Sequence, residues 1–144
     1  MTYNAVDLAR RLIKLSIENE IWLTNMKLQK LLYFAWKDYY REHRRHLFED
    51  EIEAWKFGPV VPKVYHEYRF CASNIICLTK EPSMEMDSET DDFLLKTLIK
   101  YKDYSAIRLA NMSHEEAPWK NNYVAGLYRT IPFACMETEA LARN

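Results

Sequence analysis

His114-Glu115-Glu116 is the first stretch whose residue types could do chemistry, because a histidine beside carboxylates can hold a metal or exchange a proton. A zinc-protease helix needs HExxH, with both histidines on one helical face, and position 118 is a proline. The metal reading fails on that geometry. His43, His46 and His66 share no compact ligand spacing. Cys71, Cys77 and Cys135 are odd in number and include no CxxC pair, so they read as reduced, structural thiols. Glycine occurs only at 58 and 126, which leaves no glycine-rich loop to cradle a phosphate. No cofactor is expected. A hydrolase using His114 with Glu115 or Glu116 is the one catalytic reading left.

Two other stretches could bind rather than react. Lys27, Lys30, Lys37, Arg41, Arg44 and Arg45 outnumber Asp38 and Glu42 along one segment, with Trp36, Tyr39 and Tyr40 interleaved. That mixture suits a nucleic acid, but it equally suits a helix whose basic end complements its own dipole. Direct DNA or RNA binding is not the expectation, because no basic recognition face follows a short glycine turn. Trp55-Lys56-Phe57-Gly58-Pro59-Val60-Val61-Pro62 is stiff, since both prolines fix φ. A stiff aromatic loop is either a core plug or a binding ridge that loses little entropy on contact.

The elements that must position these residues are mostly helices. The chain has 144 residues, is 49% hydrophobic and 28% charged, and carries a formal net charge of −1, which excludes disorder and a globally basic protein. Two glycines argue against a turn-rich β fold. A first helix is expected from Ala5 to Asn19 with Asn4 as its cap, and a second from Asn25 to Arg45 that is apolar around most of its girth and therefore central. An extended segment at Ile52–Trp55 is expected to end at Gly58-Pro59, and Ile75–Leu78 to be the strand that pairs with it. Pro62 opens a helix through Phe70; Ser88 caps another through Tyr101. Further helices are expected over Tyr104–Met112, Trp119–Leu127 and Pro132–Leu141. Residues 81–92 read as a solvated acidic loop. The expected fold is mostly α: a compact single-domain helical bundle over 1–144, with at most a small two-stranded β element. No apolar run reaches the ~18 residues of a membrane span and no signal pattern opens the chain, so a cytoplasmic protein without membrane contact is expected.

Met26-Lys27-Leu28-Gln29-Lys30-Leu31-Leu32-Tyr33-Phe34-Ala35 and Ile52-Glu53-Ala54-Trp55-Lys56-Phe57-Gly58-Pro59-Val60-Val61-Pro62-Lys63-Val64-Tyr65 together resemble the Panacea domain family, which includes SocA-like antitoxins and phage-associated GepA-like proteins. Leu109, His114, Pro118 and Trp119 match its later signature; Ala110 and Ser113 stand where the family usually has serine and threonine. The resemblance implies an antitoxin of a toxin–antitoxin system that neutralises a toxin encoded beside it by direct protein–protein contact. It also implies, for some members, a proteolytic adaptor to a Clp-type protease, and no catalytic site. A nucleic-acid-binding prophage regulator is the alternative. The signature and partner-binding residues it points to are Lys27, Gln29, Lys30, Tyr33, Trp55, Lys56, Gly58, Pro59, His114, Glu116 and Trp119. Gln29, Lys30 and Tyr33 fall within one helical turn. Gln29 or Lys30 is expected to pin the Trp55–Pro62 loop by bonding its unpaired carbonyls.

Overall fold

A computed structural model describes residues 2–142. Helix α1 (Ala5–Glu18) begins where Asn4 accepts a hydrogen bond from the Asp7 backbone at 2.8 Å. It buries Leu8, Leu12 and Ile13. Helix α2 (Asn25–His43) is capped by Thr24, which accepts from the Lys27 N–H, and stops at Arg44 in the left-handed conformation. It is buried on nearly every face, as an all-round apolar helix must be. The remaining helices are α3 (Pro62–Glu67), α4 (Ser88–Tyr101), α5 (Ala106–His114), α6 (Ala117–Lys120) and α7 (Phe133–Ala142). Helices α3, α4, α5 and α7 all pack on α2. The mostly helical expectation matches this architecture. Among the described residues, no helix is long and apolar enough to cross a membrane.

The sheet differs from expectation. Strands β1 (Glu53–Trp55) and β2 (Gly58–Val60) form an antiparallel hairpin with Trp55 opposite Gly58, so Gly58-Pro59 continues the sheet rather than ending it. The third strand is β3 (Arg129–Thr130), giving three strands in the order β2-β1-β3. The segment at 75–78 does not join; Ile75 bridges Thr24, and the Ile76 N–H donates to the Leu23 carbonyl at 2.8 Å. The helix expected over Trp119–Leu127 ends at Lys120, where the Asn122 amide donates to the Pro118 carbonyl and closes the turn. That early end frees residues 129–130 to reach β1, and the Ile131 N–H donates to Ile52 O at 2.7 Å.

Two smaller corrections concern α4 and the segment before it. The cap of α4 is Asp87, one residue earlier than Ser88, accepting from the Thr90 N–H at 2.7 Å. The acidic segment is tied down rather than merely solvated. Arg11 makes a two-pronged pair with Asp91 at 2.7 and 2.6 Å, Lys14 pairs with Glu81, and buried Asp7 accepts from the backbone and hydroxyl of Ser83. The basic residues that lie off the apolar stripe of α1 thus hold it.

Candidate functional site

Helix α2 presents two adjacent polar residues, Gln29 and Lys30, to the hairpin. The Gln29 side chain donates to Asn25 Oδ1 at 2.9 Å, and its oxygen accepts from the Val61 N–H at 2.9 Å. Lys30 Nζ donates to the Pro59 carbonyl at 3.0 Å. The Pro59 carbonyl of β2 and the Val61 N–H just past its end are thereby satisfied by side chains, which blocks further strand pairing there. Lys30 supplies the expected bond to a loop carbonyl, whereas Gln29 receives one from a loop amide. Burial pushes the Lys30 amine down to about 7, because an ammonium loses its hydration there.

Gly58 is the residue that lets the hairpin approach so closely. Its φ is +111°, and a Cβ would sit 2.8 Å from Lys30 Cε and 3.0 Å from Ser113 Oγ. No side chain fits, and few residues tolerate that φ. On the far side, Trp119 Nε1 donates to the Trp55 carbonyl at 2.7 Å, latching α6 to β1. His114 stacks on Trp119 with ring centroids 4.0 Å apart. Its Nε2 is enclosed and meets no hydrogen-bond partner among the described residues. Burial, and then the Lys30 charge, push its pKa down, so the ring is neutral at neutral pH.

The sequence-expected residues fall into three places. Gln29, Lys30, Trp55, Lys56, Gly58, Pro59, His114 and Trp119 come together around the hairpin. Tyr33 and Glu116 meet one turn further along α2. There Tyr33 OH donates to Glu116 at 2.7 Å, and Lys37 donates to the same carboxylate oxygen at 2.5 Å. Lys27 points elsewhere, donating to the Lys102 carbonyl just beyond α4. Trp55 and Trp119 are half-buried, between the core-plug and binding-ridge readings. The hairpin tip is plainly outside: Lys56 and Phe57 are exposed, Phe57 by 61%.

Some members of the site escape a reading of the sequence. Asn25, four residues before Gln29, was legible as a same-face partner. Tyr128 and Arg69 carried no local signal, and Lys37 and Tyr65 stand within the basic segment and the family stretch without being singled out as members of the site. At the basic end of α2, Arg41 pairs with Asp38 and donates to the Ala140 carbonyl, Arg44 turns back onto the end of its own helix, and Arg45 reaches Glu89 at 3.9 Å. Among the described residues no cluster of histidine, cysteine, aspartate or glutamate could hold a metal ion. The polar groups around the hairpin mostly bond backbone atoms. They position a loop.

The family model for "Antitoxin SocA-like, Panacea domain" matches residues 28–120. Antitoxin SocA of Caulobacter vibrioides (strain NA1000 / CB15N) is 50% identical over 46 residues, which is 32% of this chain and 24% of that protein. The matched stretch therefore spans about a quarter of the relative's length. No solved structure matches.

Proposed function

Since the chain belongs to the antitoxin SocA-like Panacea domain family, we propose that it is an antitoxin that neutralises a toxin protein, encoded beside it, by direct contact. The observation that carries this reading is what the matched region contains. Residues 28–120 include Gln29, Lys30, the whole β1–β2 hairpin, α3 and the His114–Trp119 turn. The stretch this chain shares with antitoxins is the stretch that builds and braces an exposed aromatic hairpin tip. Binding energy concentrates in a few aromatic or cationic anchors. An anchor on a loop already held by Gln29, Lys30 and Trp119 loses little freedom when it binds. In its finer form the antitoxin delivers the toxin to a Clp-type protease. Both roles belong in the cytoplasm, and neither asks this chain for catalysis.

Co-expression with the product of the adjacent open reading frame tests the reading, with growth rescue and co-purification as readouts. Lys56→Glu and Phe57→Ser should leave the melting temperature unchanged while losing rescue. If rescue survives both, the hairpin tip is not the contact; if the wild type neither rescues nor co-purifies, the antitoxin reading falls. Toxin half-life with and without the protease separates delivery from sequestration. A half-life shortened only when chain and protease are both present supports delivery.

A further inference from the structure

Behind the hairpin tip lies a cleft of about 480 Å³, a size in which a few side chains fit. Its walls are the first turns of α2, the β1–β2 hairpin, α3 with the turn after it, and Tyr128. It is lined with rings. Trp55 is held edge-on by Tyr65 at 5.0 Å and stacked by Tyr128 at 4.7 Å, and Phe57 closes the outer side. It is also of one charge sign: Lys30, Lys56 and Arg69 line it, and no aspartate or glutamate does. That asymmetry stands out in a chain whose net charge is −1.

The two rim cations are the informative ones. Lys56 and Arg69 are exposed, and neither has an ion pair among the described residues. Arg10, Arg11 and Lys14 on α1 each have a carboxylate. The amides on the floor are already committed. Asn25 donates to the Tyr65 carbonyl at 3.1 Å and accepts from Gln29, whose oxygen takes the Val61 N–H. Recognition is therefore left to ring surfaces and to positive charge at the rim. A cleft of this volume takes the few alternate side chains that an extended chain presents on one face, whereas two turns of a helix, about 10–12 Å across, would overfill it.

Resting on the antitoxin reading, we infer that the cleft receives an extended acidic segment of the toxin: its carboxylates meet Lys56 and Arg69 while its apolar side chains pack on Trp55, Phe57 and Tyr128. Opposite charge at the rim fixes register and speeds encounter, and the rings supply most of the contact area.

The test uses the full chain and needs no toxin. Fluorescein-labelled octapeptides alternating apolar residues with aspartate or glutamate are titrated by anisotropy. The same peptides with glutamine or lysine at the acidic positions serve as comparison. Acidic peptides should bind at least about tenfold more tightly than the glutamine set, and the difference should shrink as ionic strength rises. The Lys56→Glu/Arg69→Glu double variant should lose the preference for acid and gain one for lysine peptides, while Lys96→Glu on α4 changes nothing. Equal binding of all three sets, or binding of none, overturns the inference. So does tight binding of a labelled oligothymidylate that acidic peptides fail to displace, which would assign the rings and cations to nucleic acid. A wild-type chain that rescues growth but ignores the peptides removes this inference alone. One that binds them yet neutralises nothing removes the antitoxin reading, and with it the toxin as the source of the segment, while the acidic-peptide specificity of the cleft stands.

Discussion

A lysine with 1% of its surface exposed is kept in place by what surrounds its amine. Lys30 bonds one carbonyl, and its stem fills the space that Gly58 leaves empty. Its pKa falls from 10.5 to about 7 through burial, so between those values the unfolded chain holds a proton that the folded chain does not. Stability then rises with pH across that window. The stability of the wild type relative to Lys30→Met should be flat below about pH 7 and climb towards pH 10.5, as read from urea midpoints. A relative curve that falls over that range would contradict the buried amine. Gly58→Ala should cost about 1–3 kcal/mol, because the substitution meets both a strained φ and the Lys30 stem. A midpoint unchanged from the wild type would mean that the hairpin can retreat from α2.

At the scale of elements, the molecule is joined by single side chains that reach across gaps in the backbone. His46, just after α2, bonds Glu137 of α7 at 2.6 Å and Glu49 at 3.0 Å, and its ring packs on Trp36 and Phe133. Burial pushes its pKa down, but the hydrogen bonds to Glu137 and Glu49 outweigh burial and leave it raised above 6.5. The folded chain therefore holds this proton to higher pH than the unfolded one. The stabilisation is complete below pH 6.5 and is lost as pH rises through the folded value. Thermal melts of the wild type and His46→Gln should converge as the pH is raised from mildly acidic to alkaline. A gap that widens with pH would refute the imidazolium clamp. The sign is opposite to that of Lys30, so the two variants separate the two titrations.

For the whole molecule, α2 is the common neighbour: α3, α4, α5, α7 and β2 all pack against it. α1 is bound to α3 and α4 and holds the acidic segment by its own cations. We therefore expect the chain to unfold as one unit, because removing α2 strips the core from α3, α4, α5, α7 and β2, on which α1, α6 and β1 rest in turn. Far-ultraviolet circular dichroism, tryptophan fluorescence and calorimetry should report coincident transitions. A second transition, or a calorimetric enthalpy larger than the van't Hoff value, would divide the chain into separately folding parts.

Much of the helical body was legible residue by residue, since caps and apolar stripes act within about four positions. Asn4 and Pro62 mark where α1 and α3 start, and the apolar girth of α2 announces its central place. The polar pair Gln29 and Lys30 was legible as an oddity in such a helix, and so was the stiffness of the loop they hold. Which atoms they meet was not. Pro59 lies 29 residues from Lys30, and Val61 lies 32 from Gln29. Strand pairing escaped for the same reason. A β-branched run at 75–78 looks like a partner for β1, yet β1 pairs with β2 on one side and on the other with Arg129–Thr130, whose composition says little. Short strands draw their stability from the surface they land on rather than from intrinsic preference. The cleft is the furthest case: residues from 25 to 128 line it, and Lys56 and Arg69 meet its rings only after α2, the hairpin, α3 and Tyr128 are folded together. Sequence thus determined most of the helices, though not the end of α6, and the stiff aromatic loop, because those are local energies. Tertiary structure alone decided the sheet, the buried amine and the charged cleft, because each depends on groups that meet only when the core closes.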